Sequence, residues 1–428
     1  MISKDILKEV LLEQQKRVEQ AQKEDFVTRE KLDEIKNFIK IKHSIIITGV
    51  RRCGKSVFFS QIINNFFKKY YYVNFEDERI AGFELRDFNK LYETCIELFG
   101  KTKVFFLDEI QNISEWERWV RRMYEDGFKF FITGSNARLL SKELATLLTG
   151  RHLQFSIFPF SFREFLSFHK FDLKEKDIFL TERRALIIKY FSKYLRDGGF
   201  PGYLKDKRIE ILQEYFNDII QRDIVERYKI INIKQLKELA RYLITNTGNL
   251  TTYNQLRKLT EIKSVTTVIK YFSYLENAYL LFGVPYFSYS LKKQMANPFK
   301  VFAIDIGLRN AISFKFSNDI GRLYETVAAI ELKRKNKEIY YWKNPQQEEV
   351  DFVVKKDRKV NQLIQVCYDI SDIKAKEREI RALLKASKEL RCRNLLVITD
   401  DYEGEEKIEW FGIKRKIKFI PLWKWLLD

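Results

Sequence analysis

Residues 44–60, SIIITGVRRCGKSVFFS, contain the pattern that decides the fold of the amino-terminal part of the chain. A β-branched run at 45–48 leads into GVRRCGKS at 49–56, and apolar residues at helical spacing follow from Val57. This is the G-x-x-x-x-G-K-[ST] loop in the strand–loop–helix context that it requires. The sequence therefore predicts a nucleotide-binding loop at the end of a buried strand.

The chemistry of this loop indicates a nucleotide with a bound metal ion. Its backbone N–H groups can wrap a phosphate chain, Lys55 supplies positive charge for the terminal phosphates, and Ser56 can ligate Mg²⁺. We predict ATP or ADP as the ligand and Mg²⁺ as its cofactor. The nucleotide-binding residues expected from the pattern are Gly49, Val50, Arg51, Arg52, Cys53, Gly54, Lys55, Ser56 and Val57.

A second motif follows in VFFLDE at 104–109, where four apolar residues end in two carboxylates. A buried parallel strand would deliver Asp108 at its carboxyl end, where it can order Mg²⁺ beside Ser56. Glu109 would then lie where it can polarise an attacking water molecule. An Asp-Glu pair after a strand can also be an ordinary loop entry, but its spacing from the phosphate loop favours the catalytic interpretation.

The next predicted strand, 128–133, is expected between the two motif-bearing strands. Thr133, Ser135 and Asn136 at its end compete for sensing the γ-phosphate or positioning water, and a simple turn is the alternative. Arg151 follows a predicted helix at the edge of the sheet. It is our candidate for an arginine that contacts the γ-phosphate in cis or from a neighbouring subunit, although a surface ion pair explains a lone arginine equally well.

The composition of the chain limits the classes of function that it can have. The 428 residues have room for two to four domains, and the net charge of +19 favours an anionic partner, with DNA the usual one, or a solvated lysine-rich surface. No run of eighteen uncharged apolar residues occurs, and the four cysteines are far apart in sequence. These patterns predict a cytoplasmic protein with reduced thiols, without a membrane partner, disulfide framework or zinc site.

Two segments after the ATPase core have different helical patterns. Apolar spacing predicts a helical lid at 161–232, where Arg222 is a second candidate for phosphate contact. The pattern of residues 233–300 predicts three helices followed by a hairpin. The two strands of the hairpin are expected at 279–284 and 286–290, where apolar and polar residues alternate, and the helices and hairpin together would form a winged helix. Residues 234–300 hold ten Lys/Arg and three Asp/Glu. Winged helices also dock proteins, but this charge favours DNA contact, with the candidates Thr266, Thr267, Lys270, Lys292 and Lys293.

The carboxyl-terminal segment, 301–428, resembles the PD-(D/E)XK nuclease fold in its α-β-β-β-α-β order. Glu325 lies on its first helix and Asp351 on a strand, but the third motif reads Gln365-Val366-Cys367. Nuclease chemistry of this kind needs a lysine beside two metal-binding carboxylates. Lys374 or Lys376 could replace it from the following helix. We otherwise expect a degenerate domain that binds DNA or protein, with a vestigial site of Glu325, Asp351, Gln365 and Cys367.

Several motifs together carry a family resemblance over nearly the whole chain. They are GVRRCGKS at 49–56, FFLDEIQN at 105–112, FITGSNA at 131–137, LTGR at 148–151, FPFSFREF at 158–165 and GGFP at 198–201. The set resembles archaeal and bacterial AAA+-type ATPases related to origin-recognition and signal-transducing (STAND) NTPases. The resemblance implies that Arg29-Glu30 lies near the adenine and that the stretch ending in Pro201 approaches the nucleotide from the lid.

The sequence thus predicts an α/β protein with four parts. They are a P-loop ATPase core at 1–160, a helical lid at 161–232, a winged helix at 233–300 and a nuclease-like domain at 301–428. We expect ATP hydrolysis coupled to binding or remodelling of duplex or branched DNA, with a homo-oligomer as a candidate assembly. The alternatives are a nucleotide-gated switch for protein interaction, as in signalling or defence NTPases, and a Mg²⁺-dependent DNA nuclease.

Overall fold

The computed structural model describes residues 2–134, 150–313, 320–410 and 412–428. The chain divides into two compact units. The first comprises Met1–Phe158 with Asn277–Tyr279, and the second comprises Pro159–Glu276 with Leu280–Asp428. Among the described residues, the first unit contains one sheet and the second contains two.

The first unit is built on a five-stranded parallel sheet with the order β2-β3-β4-β1-β5. Its strands are β1 Ser44–Thr48, β2 Tyr71–Asn74, β3 Val104–Asp108, β4 Lys129–Gly134 and β5 His152–Ser156. Strand β4 lies between β1 and β3, which confirms the placement predicted for it. Because all five strands run in one direction, the carboxyl ends of β1, β3 and β4 meet at one edge.

Five helices accompany this sheet in the part of the first unit that the structure describes. They are α1 Lys4–Ala21, α2 Lys31–Lys36, α3 Lys55–Phe66, α4 Asp87–Phe99 and α5 Trp116–Glu125, with short 3₁₀ turns at Glu78–Ile80 and Ile110–Asn112. Continuous apolar strands suit a parallel sheet covered on both faces. The centre of the sheet is aromatic, with Phe106 stacked on Phe131 of the neighbouring strand at a centroid distance of 4.5 Å. These buried rings fix the strands that carry the functional residues.

The second unit begins with a helical segment, as the apolar spacing predicted. Its helices are α6 Phe162–Phe168, α7 Thr181–Asp197, α8 Pro201–Asp206 and α9 Ile209–Asp218, with a 3₁₀ turn at Glu175–Phe179 and a π-helical segment at Ile219–Glu226. A capping box starts α6: the Ser161 hydroxyl accepts from the Glu164 N–H at 3.1 Å, and the Glu164 carboxylate accepts from the Ser161 N–H at 3.0 Å. This reciprocal pair satisfies backbone donors that the first helical turn leaves without partners.

Three further helices and a small sheet follow in the order helix, strand, helix, helix, strand, strand. They are α10 Ile233–Thr245, β6 Leu250–Thr251, α11 Tyr253–Leu259, α12 Val265–Asn277, β7 Leu281–Val284 and β8 Phe299–Ala303. The sheet is antiparallel with the order β6-β8-β7. A short helix, α13 Leu291–Ala296, lies in the connection between β7 and β8.

This arrangement corrects the predicted hairpin. Residues 286–290 were expected as its second strand, but the structure gives them one isolated bridge, from Tyr286 to Tyr341. The partner of β7 is β8, whose Phe299 packs on Phe272 of α12 with ring centroids 5.0 Å apart. This aromatic contact with α12 favours the later strand as the partner of β7. The boundary predicted at residue 300 therefore falls inside β8.

The carboxyl-terminal part is a six-stranded mixed sheet with the order β13-β14-β12-β11-β10-β9. Its strands are β9 Glu338–Lys343, β10 Glu349–Lys356, β11 Lys359–Val366, β12 Leu395–Thr399, β13 Gly404–Trp410 and β14 Ile413–Pro421. The accompanying helices are α14 Ile306–Ile312, α15 Ile320–Arg334, α16 Ile373–Glu389 and α17 Leu422–Trp425. The mixed α/β class predicted for the chain is confirmed. Within the residues that the structure describes, no helix is both long enough and apolar enough to cross a membrane.

Asp305, the N-cap of α14, holds the GGFP turn at 198–201. Its carboxylate accepts from the Leu308 N–H at 2.8 Å and from the Gly199 N–H at 2.7 Å. Gly198 has φ +69°, and a Cβ there would lie 2.4 Å from the Asp305 carboxylate, so only glycine fits. In the second unit this turn therefore has a packing role. The proximity of Pro201 to the nucleotide stays a prediction.

We expect Asp305→Ala to lower the unfolding midpoint of the second unit by several degrees. The change removes a helix cap and leaves the buried Gly199 N–H without its acceptor, which together cost about 2–4 kcal/mol. Asp305→Asn is the matched comparison, because it keeps one acceptor oxygen but replaces the other with an N–H₂ group, whereas each Asp305 oxygen accepts from a different backbone N–H. Burial raises the pKa of Asp305 to about 6, so at pH 7 this variant also removes a disfavoured buried charge. Calorimetry at pH 7 should show a smaller loss for Asp305→Asn than for Asp305→Ala, and equal losses in both variants would contradict the capping role.

Candidate nucleotide-binding site

The phosphate-loop residues lie at the carboxyl edge of the parallel sheet. The loop connects β1 to α3, whose first residue is Lys55. Strand β3 ends in Asp108, and Thr133 is the penultimate residue of β4. The two motifs and the intervening strand therefore meet at one edge, as parallel-strand geometry requires.

The loop backbone is tightly packed, which leaves room for glycine and for little else. A Cβ on Gly49 would lie 2.1 Å from the Ile157 carbonyl oxygen. The buried Arg29 guanidinium donates to the Cys53 carbonyl at 2.8 Å and to the Phe158 carbonyl at 2.6 Å. Arg29 thus fixes the loop against the chain that follows β5.

Cys53 has a structural position inside this loop. Its thiol is buried and donates to the Ile157 carbonyl at 3.4 Å. Burial raises the pKa of the Cys53 thiol, although Lys55 and Arg29 oppose that rise. A neutral buried thiol is a packing group and not a nucleophile.

Lys55 points back into the loop. Its side chain is 5% exposed, and its ammonium donates to the Gly49 and Val50 carbonyls at 3.2 and 3.4 Å. It also lies 3.5 Å from the Glu109 carboxylate. A buried ammonium in a backbone cradle offers a concentrated positive charge to a phosphate group.

Asp108 is buried within a set of hydroxyl groups. Its carboxylate accepts from the Thr133 hydroxyl and, at 2.8 Å, from the Tyr72 hydroxyl. Burial raises the pKa of Asp108 and the Glu109 charge adds to this, whereas hydrogen bonds from Thr133, Ser56 and Tyr72 lower it. The bond from Ser56 brings together the two groups that the sequence assigned to Mg²⁺.

Glu109 has the left-handed backbone conformation, with φ +52°. Its N–H donates to the Thr133 hydroxyl at 2.9 Å, and its carboxylate accepts from the Gln111 amide. A non-glycine residue in this conformation costs about 1–3 kcal/mol, and such strain clusters at functional sites. Burial opposes ionisation of Glu109, but Lys55, Gln111 and Arg51 together hold its pKa below the ordinary value. Glu109 is thus an anion that can accept a proton.

The residues present fit a magnesium nucleotide. The glycine cradle at Gly49, the buried Lys55 ammonium and the oxygen donors of Ser56 and Asp108 are the groups that a phosphate chain and Mg²⁺ need. A cleft of about 530 Å³ opens beside Ser56 and Tyr72. Arg51, in the loop, pairs with Glu76 at 2.8 Å beside the same cleft.

The structure contradicts the cis role considered for Arg151. The Ser44 N–H donates to the Arg151 carbonyl, and His152 pairs with Ser44 at the amino end of β1. The phosphate loop leaves the opposite end of β1, about 15 Å away at 3.3 Å per strand residue. Arg151 instead pairs with Glu125 at 2.9 Å. Contact with a neighbouring subunit's nucleotide stays a prediction, and Ser135 and Asn136 lie outside the described residues.

The predicted DNA-contacting residues lie in the second unit. Thr266 and Lys270 are exposed on α12, and Thr267 is half-buried there. Lys292 and Lys293 are exposed on α13. Arg222 is exposed in the π-helical segment. Their roles stay predictions.

Three of the four predicted nuclease-site residues lie close together. The Gln365 amide oxygen accepts from the Asp351 N–H at 3.2 Å. The Glu325 and Asp351 carboxylates both contact the Lys300 ammonium, at 2.6 and 3.0 Å. Cys367 follows β11, and burial raises the pKa of its thiol to about 11. Lys376 does not supply the missing lysine, because it pairs with Glu406 at 2.8 Å, and Lys374 is solvent-exposed.

The cation in this cluster is Lys300, which the sequence interpretation missed together with Glu349, Tyr72 and Gln111. Lys300 interrupts the apolar stretch FKVFAI at 299–304. A single lysine in a run that reads as a buried strand is a signal for an internal ion pair. Tyr72 carries a comparable signal, because its polar atom lies in a buried strand.

Comparisons with known proteins match these parts of the chain. An AAA domain matches residues 41–166, and two domains of unknown function, DUF8612 and DUF4143, match residues 188–319 and 320–425. The uncharacterized protein MJ1544 of Methanocaldococcus jannaschii is 39% identical over 446 residues, covering 100% of this chain and 96% of that protein. An uncharacterized protein of Haemophilus influenzae is 31% identical, covering 78% of this chain and 84% of that protein.

Solved structures are similar at lower identity. The Walker-type ATPase PABY2304 of Pyrococcus abyssi has a TM-score of 0.41 at 15% identity, covering 68% of this chain and 97% of that chain. The ORC2 protein of Aeropyrum pernix in its ADP form has a TM-score of 0.32 at 12% identity, covering 72% of this chain and 97% of that chain.

Proposed function

The chain belongs to the same family as the uncharacterized protein MJ1544 of Methanocaldococcus jannaschii, and because its residues 41–166 match an AAA domain, we propose that it binds ATP with Mg²⁺ and hydrolyses it. The convergence of Lys55, Asp108 and Glu109 at one edge of the parallel sheet carries this proposal. A phosphate-binding cation, a metal-ordering carboxylate and an ionised base are the groups that hydrolysis of a phosphoanhydride needs.

Each residue has a separate part in the proposed reaction. Lys55 binds the terminal phosphates, and Ser56 and Asp108 hold Mg²⁺, which when bound neutralises charge on the phosphate oxygens. Glu109 orients the attacking water and accepts its proton. Thr133 positions both carboxylate residues, because its hydroxyl contacts the Asp108 side chain and the Glu109 backbone.

We further propose that the nucleotide cycle is coupled to DNA binding. The net charge of +19 supports an anionic partner. The order of helices and strands from α10 to β8, with its three-stranded antiparallel sheet, supports the winged-helix interpretation of this part. Residues 277–304 contain no Asp or Glu, which leaves Lys292 and Lys293 without an acidic neighbour along this stretch of sequence.

The ATPase rate measured with and without DNA tests the coupling. We expect duplex or branched DNA to raise the rate of the wild-type protein, with single-stranded DNA as the comparison. A rate that no DNA changes would contradict the coupling and would favour the nucleotide-gated protein switch. The products should also be separated on a gel, because Mg²⁺-dependent strand cleavage would favour the nuclease alternative.

We expect Lys292→Ala/Lys293→Ala to weaken DNA binding about equally for all sequences. Each lysine that neutralises a phosphate contributes about 0.9 to the slope of log affinity against log salt concentration, so the slope should fall by about 2. Fluorescence anisotropy over a salt series measures it. Lys68→Ala/Lys69→Ala, which removes two exposed lysines of the first unit, is the matched control. Equal slopes for wild type and the 292/293 variant would exclude contact between these lysines and phosphate.

A further inference from the structure

The carboxylate cluster of the carboxyl-terminal part has an internal cation. The Lys300 ammonium lies 2.6 Å from a Glu325 oxygen, 2.6 Å from a Glu349 oxygen and 3.0 Å from an Asp351 oxygen. The Lys300 side chain is 3% exposed. An ammonium has three N–H donors, so three carboxylate oxygens match its capacity.

Three elements of the second unit supply this cluster. Lys300 comes from β8 of the small sheet, Glu325 from α15, and Glu349 and Asp351 from β10. Residues two apart on a strand point to the same side, which explains why Glu349 and Asp351 face one cation. The cluster therefore joins the small sheet to the six-stranded sheet.

The positions of the oxygens favour an ammonium over a metal ion. The second Asp351 oxygen accepts from the Val366 N–H at 3.0 Å, and the Gln365 amide donates to Glu379 at 2.6 Å. Across the described residues, no group of three or more His, Cys, Asp or Glu side chains has an arrangement that could hold a metal ion. A divalent ion among the same oxygens would also lie against the buried ammonium, and like charges at such a distance repel strongly.

The carboxyl groups of this cluster outnumber its one ammonium, so the Lys300 charge is needed to compensate them. Three carboxyl groups surround one ammonium, and burial raises the pKa of Glu325, although Lys300 opposes that rise. Burial lowers the pKa of Lys300, but the three carboxylates raise it further, so its pKa lies well above the ordinary value and the side chain keeps its charge. Removal of one partner from a buried ion pair leaves an uncompensated charge, which is strongly destabilising.

We propose that Lys300 is the resident cation of this site: its ammonium occupies the centre of the carboxyl cluster where the sequence predicted a vestigial nuclease site, and it holds the two sheets of the second unit together. The carboxyl-terminal domain is then assembled around a lysine and does not recruit a catalytic metal ion. The proposal is independent of ATP hydrolysis in the first unit.

Binding of Mn²⁺ to the full-length, nucleotide-free protein tests the first half of the proposal. Electron paramagnetic resonance should count the same number of bound Mn²⁺ ions in wild type and in Asp351→Asn, because Asp351 serves the lysine. Any Mn²⁺ bound at Ser56 and Asp108 is present in both proteins, so it does not affect the difference between their ion counts. One additional ion in wild type that Asp351→Asn lacks would overturn the proposal.

The stability of Lys300→Met tests the second half. The methionine side chain is similar in length to lysine and carries no charge. We expect the unfolding midpoint of this variant to fall by about 10 °C at pH 7. Lys343→Met is the control, because Lys343 lies 3.6 Å from Glu349 but is partly exposed. Lys300→Met/Asp351→Asn should recover part of the loss, since it removes one uncompensated charge. An unchanged midpoint in Lys300→Met would overturn the proposal. If that variant does not fold, the Mn²⁺ comparison still decides.

Discussion

Glu109→Gln is expected to lower the ATPase turnover number by about 10²–10⁴-fold, the usual contribution of a general base. The amide keeps the size and the planar shape of the side-chain end but cannot accept a proton. Nucleotide affinity should change little, because Lys55 and the loop backbone remain in place. A variant that binds ATP and does not hydrolyse it is the expected result.

The structure supports this expectation through the ionisation of Glu109. Burial alone would favour the neutral acid, but Lys55, Gln111 and Arg51 hold the pKa below its usual range. The carboxylate is therefore already ionised at neutral pH. The turnover number of the wild-type enzyme should stay level through neutral pH and fall only when the medium is acidic enough to protonate Glu109.

Turnover should be measured by phosphate release at saturating ATP, and affinity by titration with a fluorescent nucleotide. Glu93→Gln, at an exposed position on α4, is the matched control and should behave as wild type. Wild-type turnover in Glu109→Gln would remove this residue from the mechanism. A parallel loss of binding would show instead that the side chain supports the loop.

The sequence alone predicts that the phosphate loop and Asp108 meet at one edge of the sheet, because each motif is local to one strand end. The phosphate loop lies between a strand and a helix, and Asp108 ends an apolar strand, so the carboxyl edge of a parallel sheet brings them together. The hydrogen bond from Tyr72 to Asp108 was harder to predict from the sequence, because Tyr72 lies on a different strand. Only the register of β2 against β3 brings its hydroxyl to Asp108.

The failures arise where sequence neighbours are not spatial neighbours. Arg151 is the last residue of the LTGR motif at 148–151, but the polypeptide enters β5 at the end of the sheet remote from the phosphate loop. The partner of β7 was predicted too early, because residues 286–290 alternate like a strand, whereas aromatic packing of Phe299 selects β8. Lys300 reaches Asp351 across 51 residues, a pairing that no local pattern encodes.

Lys55→Ala is expected to abolish nucleotide binding at micromolar concentrations. The ammonium is buried in the loop, so its removal deletes the positive charge that meets the terminal phosphates and leaves Glu109 without its nearby cation. Loss of one partner in a buried charge contact costs about 2–5 kcal/mol. At 1.4 kcal/mol for each factor of ten, the dissociation constant should rise by between about 30-fold and about 4,000-fold.

The two exchanges at this site separate binding from chemistry. Lys55→Ala should lose both affinity and turnover, whereas Glu109→Gln should lose turnover alone, because Lys55 serves the nucleotide and Glu109 serves the water. Lys101→Ala, an exposed lysine of the same unit, controls for the loss of one positive charge. Circular dichroism should be recorded to establish that the sheet remains folded in Lys55→Ala, because the ammonium that is removed also lies 3.5 Å from the buried Glu109 carboxylate. Retained affinity in a folded Lys55→Ala protein would place the nucleotide outside the phosphate loop.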